Sequence, residues 1–226
     1  LLHGVYPGGY WNGVYTWGFQ KGLGQGTHGI HERIVLWIRG EYLLILDALM
    51  GEPGLPVETV WQMAPVKGWR KDEKALSWDS EGEAPNFHVR ALLQPKGASM
   101  TVHQGQKEPL RGWYCDAYGT GFTPSPQIVF RYPLDNAFHA TLAMPLAGGA
   151  RPPETHERPF GSGRCLELHR PDGSMDRLLI ACSLCAPLDE LEGIETDSSL
   201  AWLRFAPDGR LMTHVKLGGS YFLMRT

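Results

Sequence analysis

No apolar run in this chain approaches the roughly 18 residues that a membrane-crossing helix needs. The best candidate, EYLLILDALM, is shorter and carries charge. A basic excess is also missing. Lysine and arginine number 21 against 24 aspartates and glutamates, a formal net charge of −3. Nothing here advertises a nucleic-acid partner, and no charge block marks a tail. The first residues, LLHGVYPGGYW, hold neither the basic n-region nor the apolar h-region of a secretion signal, and they read as the interior of a longer protein. Cysteine is scarce. Cys182 and Cys185 form a single C-x-x-C; a zinc ribbon needs a second such pair, and a thioredoxin-like redox pair needs a βαβ context that is absent. The expectation is therefore structural thiols, buried or partly buried. No G-x-S-x-G, H-E-x-x-H, Walker A or dinucleotide-binding fingerprint occurs.

What is present is punctuation. The 28 glycines and 17 prolines fall between short apolar runs, the pattern of many strands joined by turns. HERIVLWIR and EYLLILDAL flank Arg39-Gly40, a tight hairpin. RCLELHR and MDRLLIACS flank one Pro-Asp-Gly, and SLAWLRFA and RLMTHVKL flank another. Proline presets φ in such turns, and glycine accepts the positive φ they require. With VETVWQMAPV, NFHVRALLQP, SMTVHQG, QIVFRYPL, FHATLAMPL and SYFLMR, the reading is all-β: an antiparallel β-sandwich of about twelve strands in one domain spanning residues 1–226. Only APLDELEGIE hints at a short helix. The absence of a sequence repeat of about 20–50 residues argues against a propeller. The Gly-, Pro- and charge-rich stretch from Leu146 to Gly163 reads as a flexible connection, and the HER tripeptide within it, His156 to Arg158, as a chance repeat of the one at His31.

The residue types that carry chemistry lie in three places. His31 and Arg33 share one face at the polar start of an apolar strand, either as a metal ligand and anion clamp or as a strand end satisfied by its neighbours. His28 is three residues away, but in an extended chain the two histidines diverge. The N-terminal YPGGYWNGVYTWGF supplies Tyr6, Tyr10, Trp11, Tyr15, Trp17 and Phe19, a platform for sugar rings or a cluster at the core edge. The loop from Leu110 to Pro126 carries Arg111, Trp113, Tyr114 and Tyr118. A tyrosine beside a histidine suits proton abstraction, although nothing local says that such a pair meets.

One longer stretch, GIHERIVLWIRGEYLLILDALMG, resembles the C-terminal β-sandwich region of heparinase II/III-like proteins. That family shows a His-x-Arg, an apolar strand, a turn with a tyrosine, and an apolar strand ending in aspartate. Here these are His31, Arg33, IVLWI, Tyr42 and Asp47. VWQMAP, then Gly112-Trp113, Tyr118-Gly119 and Pro124/Pro126, then FHATLAMPL, resemble later segments in order, with Cys115 where the family has serine. The resemblance covers roughly residues 5 to 146; the remainder fits as further sandwich strands.

The resemblance implies a polysaccharide lyase, periplasmic or secreted, acting on uronic-acid polymers such as glycosaminoglycans or alginate. Such enzymes neutralise the uronate carboxylate, remove the C5 proton and eliminate the 4-O-linked group, with tyrosine and histidine moving the protons. It also implies an N-terminal α/α toroid domain that holds much of the machinery, and for some members a structural metal at the position of His31, with zinc the expected ion. Substrate contact is expected from Tyr10, Trp11, Tyr15, Trp17, Arg111 and Trp113, and metal contact from His31 and Asp47, with His3 and His28 the other candidate ligands. Hairpin register decides the Asp47 pairing. A three-residue loop, Arg39-Gly40-Glu41, sets Asp47 opposite Arg33 on the face of His31, whereas a two-residue loop sets it opposite Glu32 on the wrong face. With its partner ligands missing, His31 is expected to hydrogen-bond to a neighbour such as Asp47.

Overall fold

The computed structural model of the chain describes residues 1–6, 30–82, 85–115, 121–160, 163–181, 194–220 and 222–224. Among these residues there are nineteen strands and no helix. They fall into two compact units, Leu1–Gly149 and Ala150–Thr226.

The first unit holds β1 (Leu2–Tyr6), β2 (Ile30–Ile38), β3 (Tyr42–Met50), β4 (Pro56–Gln62), β5 (Gly68–Asp72), β6 (Ser77–Glu81), β7 (Asn86–Leu92), β8 (Ser99–His103), β9 (Trp113–Tyr114), β10 (Thr123–Pro124), β11 (Gln127–Pro133) and β12 (Phe138–Leu146). A seven-stranded sheet runs β1-β2-β3-β12-β7-β6-β5, and a three-stranded sheet runs β4-β11-β8. All pairings are antiparallel. The alternation of a strand explains the core: on β3 and β12, Leu44, Leu46 and Leu142 are fully buried on one face, with Ile34 of β2 beside them. The opposite face of β6 and β7 contributes Trp78, Val89 and Ala91 to a cluster with Met100 of β8 and Ile128 and Phe130 of β11, so apolar residues of both sheets share one core. Burying each of these larger side chains is worth roughly 1.5–3 kcal/mol.

The second unit holds β13 (Glu154–Phe160), β14 (Gly163–His169), β15 (Met175–Ile180), β16 (Ile194–Thr196), β17 (Leu200–Phe205), β18 (Leu211–Leu217) and β19 (Phe222–Met224). Five of these form a sheet in the order β13-β14-β15-β17-β18, around Cys165, Leu179, Ala201, Leu203 and Phe205. Both Pro-Asp-Gly turns close as their residues dictate, Gly173 N–H donating to Arg170 O at 3.0 Å and Gly209 N–H to Ala206 O at 2.9 Å.

Two expectations need correcting. Among the described residues the strand count is nineteen rather than about twelve; the additional strands are β1, β5, β6, β9, β10, β13 and β16, most of them short or rich in charge. The stretch from Leu146 to Gly163 is not a flexible connection over its length, because Glu154–Phe160 pairs along its whole length with β14. Its proline is tolerated because β13 is an edge strand, where the missing N–H breaks no ladder on the outer side. The APLDELEGIE segment and the Cys182/Cys185 pair lie outside the described residues, apart from the last two residues of that segment, which belong to β16.

A buried polar cluster as the candidate functional site

The β2–β3 hairpin sets the geometry. Its loop is the three residues Arg39, Gly40 and Glu41, closed by Glu41 N–H donating to Ile38 O at 2.9 Å. Gly40 stands at φ +78°, a conformation other residues adopt at a cost. That loop length pairs Ile38 with Tyr42 and therefore Arg33 with Asp47. Asp47 accepts three hydrogen bonds: His31 Nε2 at 2.7 Å and Arg33 Nε at 2.6 Å on Oδ1, and Arg33 Nη2 at 3.0 Å on Oδ2. Asp47 is 5% exposed, so its charge is carried by these donors rather than by water.

β12 flanks β3 on its other side and sets His139 opposite Asp47, on the same face. His139 Nδ1 is 3.1 Å from Leu93 O and Nε2 is 2.8 Å from Asp135 Oδ1. Each ring nitrogen of His139 thus faces an oxygen acceptor. Tyr132 of β11 covers it, with ring centroids 4.3 Å apart and planes tilted by 45°. The Tyr132 hydroxyl lies 3.3 Å from Thr59 Oγ1 on β4. Burial pushes the Tyr132 phenol up to about 12; the charges of Asp47 and Asp135 push the same way, against the Thr59 hydrogen bond and Arg33. At neutral pH Tyr132 is a neutral phenol, able to donate but not to act as a phenolate base.

The cluster thus gathers a tyrosine, two histidines, two carboxylates and an arginine, the residue types of proton transfer beside an acidic substrate. Tyr132 and His139 are buried, however, so in this arrangement their contacts are with protein groups. Sequence reasoning placed Asp47 with His31 and Arg33 on condition of a three-residue loop, but missed Tyr132, Asp135 and His139, which lie on β11, β12 and the turn between them, and Thr59 of β4.

Arg111 and Trp113 lie elsewhere. Arg111 Nη2 donates to Glu58 Oε2 at 2.9 Å, and Arg131 pairs with the other Glu58 oxygen. The Arg131 hydrogen bond, joined by Arg111, holds the Glu58 carboxyl below its usual range despite the opposing pull of burial. Trp113 Nε1–H donates to Gln106 O at 2.7 Å. Both side chains are partly buried and engaged with protein. Tyr10, Trp11, Tyr15, Trp17, His28 and Tyr118 lie outside the described residues.

A zinc site normally carries three or four protein ligands. His31 and Asp47 supply two, and both Asp47 oxygens already accept N–H groups, one pair of them from a guanidinium that repels a cation. His3 bonds Glu32 at 2.6 Å on the opposite face of β2. Among the described residues no group of three or more His, Cys, Asp or Glu converges. These residues do not by themselves fit the ion.

No family model matches the chain, and no curated protein matches it. Solved structures do. The heparan sulfate lyase HepC from Pedobacter heparinus is 19% identical with a TM-score of 0.55, covering 69% of this chain and 24% of its own. A mutant of that lyase is 17% identical with a TM-score of 0.52, covering 84% and 24%. A heparinase III structure is 20% identical with a TM-score of 0.49, covering 62% and 22%. This chain therefore spans about a quarter of the length of these proteins, and at such identities the likeness to HepC is one of fold.

Proposed function

We propose that residues 1–226 are the C-terminal β region of a polysaccharide lyase, acting by β-elimination on a uronic-acid polymer in the periplasm or outside the cell. The observation that supports this reading is the fold likeness to a heparan sulfate lyase over 69% of this chain. The spacing from His31 and Arg33 to Asp47, which resembles that family's first hairpin, adds to it. In this reading an N-terminal α/α toroid domain supplies the cleft wall and the groups that reach the C5 proton and the leaving oxygen. The His31–Arg33–Asp47 and Tyr132–His139–Asp135 networks hold the β region's shape rather than touch the polymer.

One observation favours a second reading, a non-catalytic carbohydrate-binding or scaffold module. Tyr132 and His139 are buried, and the Arg111 charge is matched by Glu58, so these residues leave no exposed acid–base pair for the chain alone. Mass spectrometry of products from the full-length parent protein, fed heparan sulfate, chondroitin or alginate, separates the two. Elimination leaves fragments that lack the elements of water relative to hydrolysis. A parent that leaves all three polymers intact removes the lyase reading.

A further inference from the structure

His3, His31, His88, His103 and His139 each hold a ring nitrogen between 2.6 and 2.8 Å from a side-chain oxygen. His156 and His169 of the second unit differ. His156 Nε2 is 3.4 Å from Glu154 Oε1, and His169 Nε2 is 3.4 Å from Glu167 Oε2. Both distances exceed the ordinary N–H···O range of about 2.7–3.2 Å, so neither ring is held tightly. Both side chains are open to solvent, His156 by 53% and His169 by 43%.

The β13–β14 hairpin brings the two together. Its register sets Glu154 opposite His169 and His156 opposite Glu167. Opposed residues share a face, so the histidines are diagonal neighbours on one side of the sheet. Their ring centroids are 4.8 Å apart, with the planes at 90°. Two imidazoles on one ion, with bonds of about 2.0–2.1 Å and about 90–110° between them, hold their centroids roughly 4.5–5.2 Å apart. The pair already stands at that separation, and exposed side chains can turn their nitrogens to a common point. Charge permits a cation here. Arg158 and Arg177 are both engaged by Glu167, and Glu154, 75% exposed, leaves a carboxylate beside His156. Among the described residues no third group of ligand type converges on the pair, so water would fill the other positions of a bound ion.

We propose that His156 and His169 form a two-histidine clamp for a divalent transition-metal ion, with copper(II) held more tightly than nickel(II) or zinc(II). Each ring gives the ion one nitrogen lone pair. Imidazole suits all three ions, and copper stands highest in their general order of affinity. A structural zinc site closes with about four protein ligands, so a clamp of two holds its ion in exchange and loses it during purification. The HER tripeptide at His156, a chance repeat by sequence, supplies one half of the pair. The clamp is separate from His31 and does not rest on the lyase reading.

The test titrates the purified, untagged chain with the copper(II) complex of nitrilotriacetate, which leaves adjacent positions on the ion open. The N-terminal amine is acetylated, so that it and His3 do not compete for copper. Electron paramagnetic resonance counts the nitrogens bound. The clamp predicts one copper per chain on two imidazoles, held at least tenfold more weakly in His156→Ala and in His169→Ala. Because the two rings act together, the double variant is no weaker than either single one. A wild-type spectrum with one imidazole or none, or two-imidazole binding that either variant keeps, overturns the proposal and leaves the rings as edge-to-face packing. Should a variant not fold, the wild type decides alone. Paramagnetic broadening strikes the His156 and His169 ring signals together, before any other histidine, if the clamp exists. Broadening that begins at another histidine, or at only one of the two, overturns it.

Discussion

Asp47 lies directly opposite Arg33 across the β2–β3 hairpin and receives both its Nε, at 2.6 Å, and its Nη2, at 3.0 Å. His31, two residues before Arg33 on the same face, completes the set at 2.7 Å. The carboxylate is buried, so it depends on these donors in place of water. Asp47→Asn keeps the shape but loses the charge and presents an amide where an oxygen accepted. The expected cost is about 2–4 kcal/mol, less than for a fully buried pair because Arg33 is half exposed. Urea unfolding of the two proteins measures it; a loss under about 0.5 kcal/mol, the range of neutral surface changes, would show that the triad contributes little.

The same geometry makes a statement about metal. With both Asp47 oxygens occupied by N–H donors, the isolated chain is expected to carry well under one zinc per molecule when purified without chelator. Elemental analysis is the check. Stoichiometric zinc that disappears in His31→Ala would mean that residues outside the described set complete a site around His31.

A third expectation concerns acid. Burial pulls the Glu167 carboxyl up, but Arg177 and Arg158 outweigh it and hold the carboxyl below its ordinary value of 4.5. Arg158 Nη2 and Arg177 Nε each donate to Glu167 Oε1 at 2.9 Å. A carboxyl lowered in the folded state contributes stability that is complete above its unfolded value and is lost as pH falls through the folded one. The stability difference between wild type and Glu167→Gln should therefore be level from pH 7 to about 5, at about 2–3 kcal/mol, and shrink below pH 4.5. Denaturant unfolding at a series of pH values reads it. A difference unchanged down to pH 3 would mean that the carboxyl is not held low.

Much of this fold was legible before any coordinates. The twelve segments first read as strands all contain one, because alternation and turn residues are local signals. The Asp47 register was conditional on loop length alone, and the three-residue loop then placed Asp47 beside His31 and Arg33. What stayed hidden depended on distant partners. β6, with the sequence SWDSE, is not among the segments read as strands; Asp79 is buried there because His88 and Arg70 come from neighbouring strands to meet it. Tyr132 and His139 sit on strands of different sheets, and nothing in the seven-residue separation says that their rings stack. β13 was mistaken for a linker because an edge strand tolerates the proline and charge that mark linkers.

The central claim is that this chain is one part of a lyase whose chemistry is completed elsewhere in the parent protein. The most direct measurement is the ultraviolet absorbance of the 4,5-unsaturated uronate product, followed side by side for the parent protein and for the purified 226-residue chain. Heparan sulfate, chondroitin and alginate are the substrates. The account predicts that absorbance grows with the parent on at least one polymer and stays flat with the chain alone on all three. Growth with the chain alone, or a flat trace with the parent on every polymer, would contradict it.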